Sequence, residues 1–208
     1  IVNGIIAASD GKKMSKRLKN YTAPDELFDL YGADALRLYM INSGLVKGQE
    51  QRFRDEGVLE VVRQTLLPFF NAFKFFTTYA KIDSYDRAQH NAATTNIMDL
   101  WLVSRCQTLF AKVNENMMDY KLYEVVPEVL KFIDELTNIY IRLNRQRFWQ
   151  EGMGADKAAA FATLYDALHS LSLSLAPFAP FIAEYVFHGL AEFNTSKMPE
   201  SVHLCSYP

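Results

Sequence analysis

Cysteine is scarce in this 208-residue chain: Cys106 and Cys205 lie far apart, with no metal-ligand pattern around either. That excludes a disulfide framework and fits a reducing compartment. His90, His169, His188 and His203 are equally scattered, so no metal site is expected. There is no excess of charge either. Lysine plus arginine total 22 against 24 acidic residues, a net charge of -2, so any RNA contact must come from local basic patches. No run is long and apolar enough for a membrane span: the most apolar stretch, Leu171 to Phe187, contains Ser172, Ser174, Pro177, Pro180 and Glu184 and reads as a buried helix. Repeats and low-complexity tracts are missing. No methionine precedes Ile1 and no signal-peptide pattern follows it, so the expected reading is a soluble, cytoplasmic, monomeric chain that begins within a longer protein.

What is present is apolar bulk. Half the residues are hydrophobic and 13% aromatic, enough for a sizeable core and too many for disorder. Ile1 to Ala8 is β-prone, with Asn3-Gly4 as a candidate hairpin turn. A lysine-dense loop, Ser9 to Asn20, follows. Pro24-Asp25-Glu26 opens a helix that Tyr31-Gly32 stops, and Asp34 caps or lines the first turn of the next. Val58 to Lys81 reads as one long helix kinked at Pro68. After a polar link from Asp83 to Thr95, Asn96 caps a helix to about Tyr120. Further helices span Lys121 to Trp149, Lys157 to Leu175 with Asp156 as cap, and Phe178 to Phe193. The sum is mainly α: a small α/β stub over residues 1–50, then a helical bundle over 51–208.

Five cations crowd Gly11-Lys12-Lys13-Met14-Ser15-Lys16-Arg17-Leu18-Lys19. Read from charge alone, such a loop is either a solvated basic surface or a polyphosphate cradle. Residue order decides more. Lys13-Met14-Ser15-Lys16-Arg17 closely resembles the KMSKS motif of class I aminoacyl-tRNA synthetases, and Tyr31-Gly32-Ala33-Asp34-Ala35-Leu36-Arg37 looks like the YGADALR segment of class Ia members. Arg17-Leu18-Lys19-Asn20-Tyr21, where several relatives carry serine and then Gly-Asn, is similar to isoleucyl members of eukaryotic cytosolic type and their bacterial relatives. Stretches such as Phe53-Arg54-Asp55-Glu56-Gly57-Val58 and Leu67-Pro68-Phe69-Phe70-Asn71-Ala72-Phe73 extend the resemblance over most of the chain. It departs at Gly44-Leu45 and at Ile139.

The resemblance implies the end of a class I Rossmann catalytic domain with stem-contact helices, then a helical anticodon-binding domain. It assigns Lys13, Met14, Ser15 and Lys16 to ATP, taken as Mg-ATP, with Lys13 and Lys16 catalytic. The partners it implies are ATP, isoleucine and isoleucine tRNA. Valyl or leucyl membership, or a non-catalytic RNA-binding module of the same ancestry, remain open alternatives. The chain holds no HIGH-type motif and no editing domain, so these residues alone are expected not to form an aminoacyl-adenylate.

The Lys121 to Trp149 helix can be read without the family. Leu122, Val125, Val126, Val129, Leu130, Ile133, Leu136, Tyr140 and Leu143 recur three and four apart, an apolar stripe facing a core. On that same side the stripe turns polar at Asn144 and Arg147, while Arg142 and Arg145 lie opposite. Beside Trp149 these offer charge, donors and a stacking surface to splayed RNA bases. The competing reading is macrodipole-stabilising arginines and an aromatic that closes the bundle. The tRNA-binding candidates are therefore Arg142, Asn144, Arg145, Arg147 and Trp149.

Overall fold

A computed structural model describes residues 3–90 and 94–207. Ile1 and Val2 of the expected first strand, and 91–93 of the polar link, lie outside them. Strand β1 (Ile6–Ala7) does not fold into a hairpin at Asn3-Gly4. It pairs in parallel with β2 (Gln51–Arg52), Ile6 opposite Gln51, and the Gly4 amide donates to the Leu45 carbonyl. Parallel pairing needs a crossover, and α1 (Pro24–Tyr31) and α2 (Ala33–Ile41) supply it. Gly32 joins these two helices at φ +83, a backbone angle that side chains disfavour. Leu27, Ala35, Phe53 and Val58 form a small core under this unit, with Met14 packed against it.

Helix α3 (Asp55–Val61) runs without a break into a π-helical segment, Val62–Leu66, and then α4 (Leu67–Ile82). The expected kink at Pro68 is thus absorbed by a wider turn just upstream: the Leu67 amide reaches back five residues to the Val62 carbonyl, where a proline ring would crowd a tighter turn. Asn96 caps α5 (Ile97–Met118) as expected, its side-chain oxygen accepting from the Met98 amide at 2.9 Å. Helix α6 (Leu122–Asp134), a second π-helical segment (Glu135–Ile141) and α7 (Arg142–Trp149) follow as one rod. Arg105–Glu135 at 2.8 Å and Lys112–Glu128 at 2.6 Å stitch it antiparallel to α5.

Helix α8 (Ala155–Leu175) is the centre of the bundle, buried along nearly its whole length. Its first residues include Lys157, whose buried ammonium meets Asp83 at 2.7 Å and the Gln150 carbonyl at 2.6 Å. Phe76 of α4 meets Tyr85, Phe161, Tyr165 and Phe193 edge-on, centroids 5.4 to 6.0 Å apart, knitting α4, α8 and the chain beyond α9 (Pro180–Ala191). No helix among the described residues is long and apolar enough to cross a membrane.

The YGADALR segment joins the two cores. Asp34 does not cap its own helix; its carboxylate accepts from the Ile182 amide at 2.7 Å and the Phe181 amide at 3.3 Å, capping α9 from across the molecule. Arg37 donates to the Pro177 carbonyl at 2.9 Å and the Phe178 carbonyl at 3.2 Å, just ahead of that helix. Lys47 adds a cation over the Tyr123 ring, 4.1 Å from its centroid. Burial raises the Asp34 carboxyl above its ordinary value, outweighing the two amides and Arg37. Because the folded value exceeds the unfolded one, this group's contribution is greatest below the unfolded pKa and declines as pH rises through the folded one. Asp34→Ala is therefore expected to cost about 1–2 kcal/mol by stripping the α9 cap, whereas Asp34→Asn, neutral and keeping one acceptor oxygen for the shorter Ile182 contact, should cost less, about 0.5–1 kcal/mol. Denaturant titration of the two variants checks this, and equal losses would show that the charge, not the cap, carries the contact.

Candidate functional site

The lysine loop is held at both ends and in its middle. Gly11, at φ +79, turns the chain: the Ala8 amide donates to the Lys12 carbonyl and the Gly11 amide to the Ala8 carbonyl, each at 2.8 Å, and Lys13 forms an antiparallel bridge with Ala7. At the far end the Thr22 hydroxyl donates to Asp55 at 2.5 Å, at the start of α3. Between them the Asn20 amide closes the loop on itself: its oxygen accepts from the Ser15 amide at 2.9 Å and its nitrogen donates to the Lys13 carbonyl at 3.2 Å. Met14 is half-buried against the small core, which fixes the loop's inward side. Lys13, Lys16, Arg17 and Lys19 are exposed. Among the described residues neither Lys13 nor Lys16 has a carboxylate partner, so both are available to an anion; Lys12 is spent on Asp10 at 3.6 Å.

The α7 candidates separate into two groups. Asn144 and Arg147, proposed from sequence as RNA contacts, are turned inward. Asn144 is buried, donating to the Tyr140 carbonyl at 2.8 Å. The Arg147 side chain is 11% exposed and fully engaged: a fork of 2.7 and 2.8 Å onto Asp99, a second of 2.8 and 2.7 Å onto Asp156, and 3.0 Å to the Asn144 oxygen. The physical reason is Asp99, a carboxylate with no exposed surface that requires a cation. Tyr140 and Thr94 complete its shell with hydroxyl donors, each at 2.7 Å. Asp156, expected as a helix cap, serves Arg147 instead, and Gly154 stands at the α8 start without a side-chain cap. Burial pushes the Asp99 carboxyl up, but Arg147, Tyr140 and Thr94 together bring it below its ordinary value. Burial beside the Asp99 charge pushes the Tyr140 hydroxyl well up, so it stays a donor.

Arg142, Arg145 and Trp149 face solvent. Trp149, 54% exposed, lies 6.4 Å from the Tyr79 ring of α4. Arg145 borders a groove of 410 Å³ between α4 and the second π-helical segment, whose walls include Lys74, Thr78, Tyr79, Thr137 and Asn138. The α4 wall has a signal in the sequence that the α7 candidates did not use: Asn71, Lys74 and Thr78 recur three and four apart as a polar stripe on a mostly apolar helix. The π-helical segment sets this face. A five-residue step buries both Leu136 and Ile141, so Leu143, placed by the sequence on the apolar stripe, is instead 67% exposed. The lysine loop stands on the small core and the groove on the large one, so the two sets of candidates form separate sites. Groups of three or more potential metal ligands are absent among the described residues.

Comparison with known proteins adds to this geometry. A family model for the anticodon-binding domain of tRNA ligase matches residues 99–208, and one for tRNA synthetases class I (I, L, M and V) matches residues 1–52. Isoleucine--tRNA ligases of Bdellovibrio bacteriovorus and Chlamydia trachomatis are each 47% identical over all 208 residues. The chain spans about a fifth of the length of these curated relatives. Among solved structures, Mycobacterium tuberculosis methionyl-tRNA synthetase in complex with methionyl-adenylate gives a TM-score of 0.74 at 16% identity, over 96% of this chain and 43% of that one. The Agrobacterium radiobacter K84 LeuRS-tRNA-LeuAMS ternary complex gives 0.69 at 18%, over 99% of this chain and 23% of that one. At such identities the likeness is one of fold.

Proposed function

We propose, for a chain that belongs to the tRNA-ligase anticodon-binding family and carries the end of a class I tRNA synthetase domain ahead of it, the role of a working segment of an isoleucine--tRNA ligase. The observation that carries this reading is the 47% identity to isoleucine--tRNA ligases along the whole chain. In the complete enzyme the isoleucine carboxylate attacks the α-phosphorus of ATP, bound as Mg-ATP, and pyrophosphate leaves. Negative charge grows on the phosphate oxygens as it does so, and Lys16, with Lys13 in support, meets that charge. Met14 anchors the loop and Ser15 shapes it. The units divide near residue 50, with α3 and the π-helical segment after it as the joint: Val58 belongs to the small core, Val61 packs against the large one, and Leu66 against both. The enzyme acts as a monomer in the cytoplasm.

The second site reads tRNA. Arg142, Arg145 and Lys74 supply phosphate contacts, and Trp149 beside Tyr79 supplies a stacking platform for an unpaired base. Asn144 and Arg147 take part only by holding α7 in place. A valyl or leucyl assignment shares this architecture, and the Arg17-to-Tyr21 order together with the relatives favours isoleucine. Binding of isoleucine tRNA to this chain is expected to weaken steeply with salt, and Trp149→Ala is expected to lose about 1–3 kcal/mol. Fluorescence titration with native and anticodon-substituted transcripts tests the assignment. Affinity indifferent to the anticodon, with Trp149→Ala silent, would remove it.

A further inference from the structure

We infer that Asn20 is a positioning residue for the cationic loop, setting the backbone from which Lys13 and Lys16 project; the inference rests on reading those lysines as the ATP-phosphate cations. Asn20 grips the two residues that flank Met14. Its carboxamide oxygen takes the Ser15 amide and its nitrogen gives to the Lys13 carbonyl. A carboxamide is the group that can do both at once, since a carboxylate only accepts and a hydroxyl is too short to span two backbone positions.

Lys19 supplies the independent sign that this closure matters. It sits at φ +46, in the left-handed region that non-glycine residues enter at a cost. That turn carries the chain from Lys16, Arg17 and Leu18 back so that the next side chain reaches Lys13 and Ser15. A strained conformation persists where surrounding contacts over-determine it. Here those contacts are the Asn20 grip, the Leu18 amide on the Ser15 carbonyl at 3.1 Å, and the Thr22–Asp55 anchor beyond. With Met14 held by the small core, the loop's backbone is fixed from inside while its lysines stay outside. A flexible lysine stem adapts to a phosphate, but the base of the stem must be in place first, because catalysis is sensitive to small misplacement.

Two variants separate the bonds. Asn20→Ala loses both; Asn20→Asp keeps the acceptor for the Ser15 amide and loses the donor to the Lys13 carbonyl. Trypsin cleavage after Lys13, Lys16 and Arg17 in this chain reads loop order directly, without any catalytic assumption. Asn20→Ala should be cut several-fold faster than the native chain, with Asn20→Asp between them. In the complete ligase, isoleucine-dependent ATP–pyrophosphate exchange should fall about tenfold in kcat for Asn20→Ala, and less for Asn20→Asp. Native-like cleavage of Asn20→Ala would overturn the closure. Faster cleavage with unchanged exchange would overturn the positioning role. Exchange in the native ligase that ignores Lys16→Ala would sink the ATP reading, and the positioning role with it.

Discussion

Arg147→Ala is expected to destabilise the bundle by about 3–5 kcal/mol, because it leaves Asp99 charged, dry and unpaired. In a chain of this size that corresponds to a fall in melting temperature of roughly 10 °C. Asp99 drives this loss more than Arg147 does. A carboxylate with no exposed surface tolerates ionisation only while the guanidinium fork and the Tyr140 and Thr94 hydroxyls surround it. Remove the fork and Asp99 must take up a proton or drag water into the core. The pair need not be a large net stabiliser: Asp99→Leu combined with Arg147→Met should recover much of the single-variant loss, since buried ion pairs often break even with apolar replacements. Arg142→Ala and Arg145→Ala, on the exposed face, should each stay within about 0.5 kcal/mol.

The pH dependence has a definite sign. With the folded Asp99 value below the ordinary 3.8, its contribution is present above that value and is lost as pH falls through the lowered one. Arg147→Ala removes a principal cause of the lowering and should flatten that acid limb. Thermal melts across pH provide the check; an Arg147→Ala protein that melts like the native one would mean that the Asp99 shell does not depend on its cation.

The division of α7 into a buried pair and an exposed pair was legible in sequence as a helical wheel, which already set Asn144 and Arg147 opposite Arg142 and Arg145. The consequence was not legible, because the carboxylate that claims Arg147 comes from α5, distant in sequence and without a motif of its own. Leu143 failed for a different reason. A wheel assumes one period throughout, and the Glu135–Ile141 segment departs from it with no proline to announce the change. Local punctuation served better: Asn96 before α5, Pro24 at the start of α1 and the Gly152-Gly154 break each act on their own neighbours. Non-local contacts were the blind spot. Nothing near Asn3-Gly4 signals that β1 waits for Gln51, and nothing near Asp34 signals that its carboxylate caps α9.

Lys16→Ala in the complete ligase is expected to lower kcat for isoleucine-dependent ATP–pyrophosphate exchange by about 10²–10³-fold, the loss typical of removing one group that meets transition-state charge. If Lys16 meets transition-state charge as proposed, the loss falls on kcat more than on ATP binding. Lys16 is exposed, and among the described residues no carboxylate is set to hold it in advance. On the proposed reading its contact forms as the polyphosphate arrives and strengthens as charge gathers on the phosphate oxygens. An interaction made mainly in the transition state lowers kcat and kcat/KM together, whereas one made equally in the bound ground state would raise KM alone. Lys16→Arg should restore only part of the rate, because a planar fork on a different stem cannot replace a compact ammonium point for point. On the same reading Lys13→Ala should cost less, because Lys13 is assigned only a supporting contact, and its backbone bonds to Ala7 and Asn20 survive the change. Steady-state exchange at saturating isoleucine with varied ATP separates these cases. A Lys16→Ala enzyme with native kcat and a raised KM would make the loop a binding clamp instead of a catalytic one.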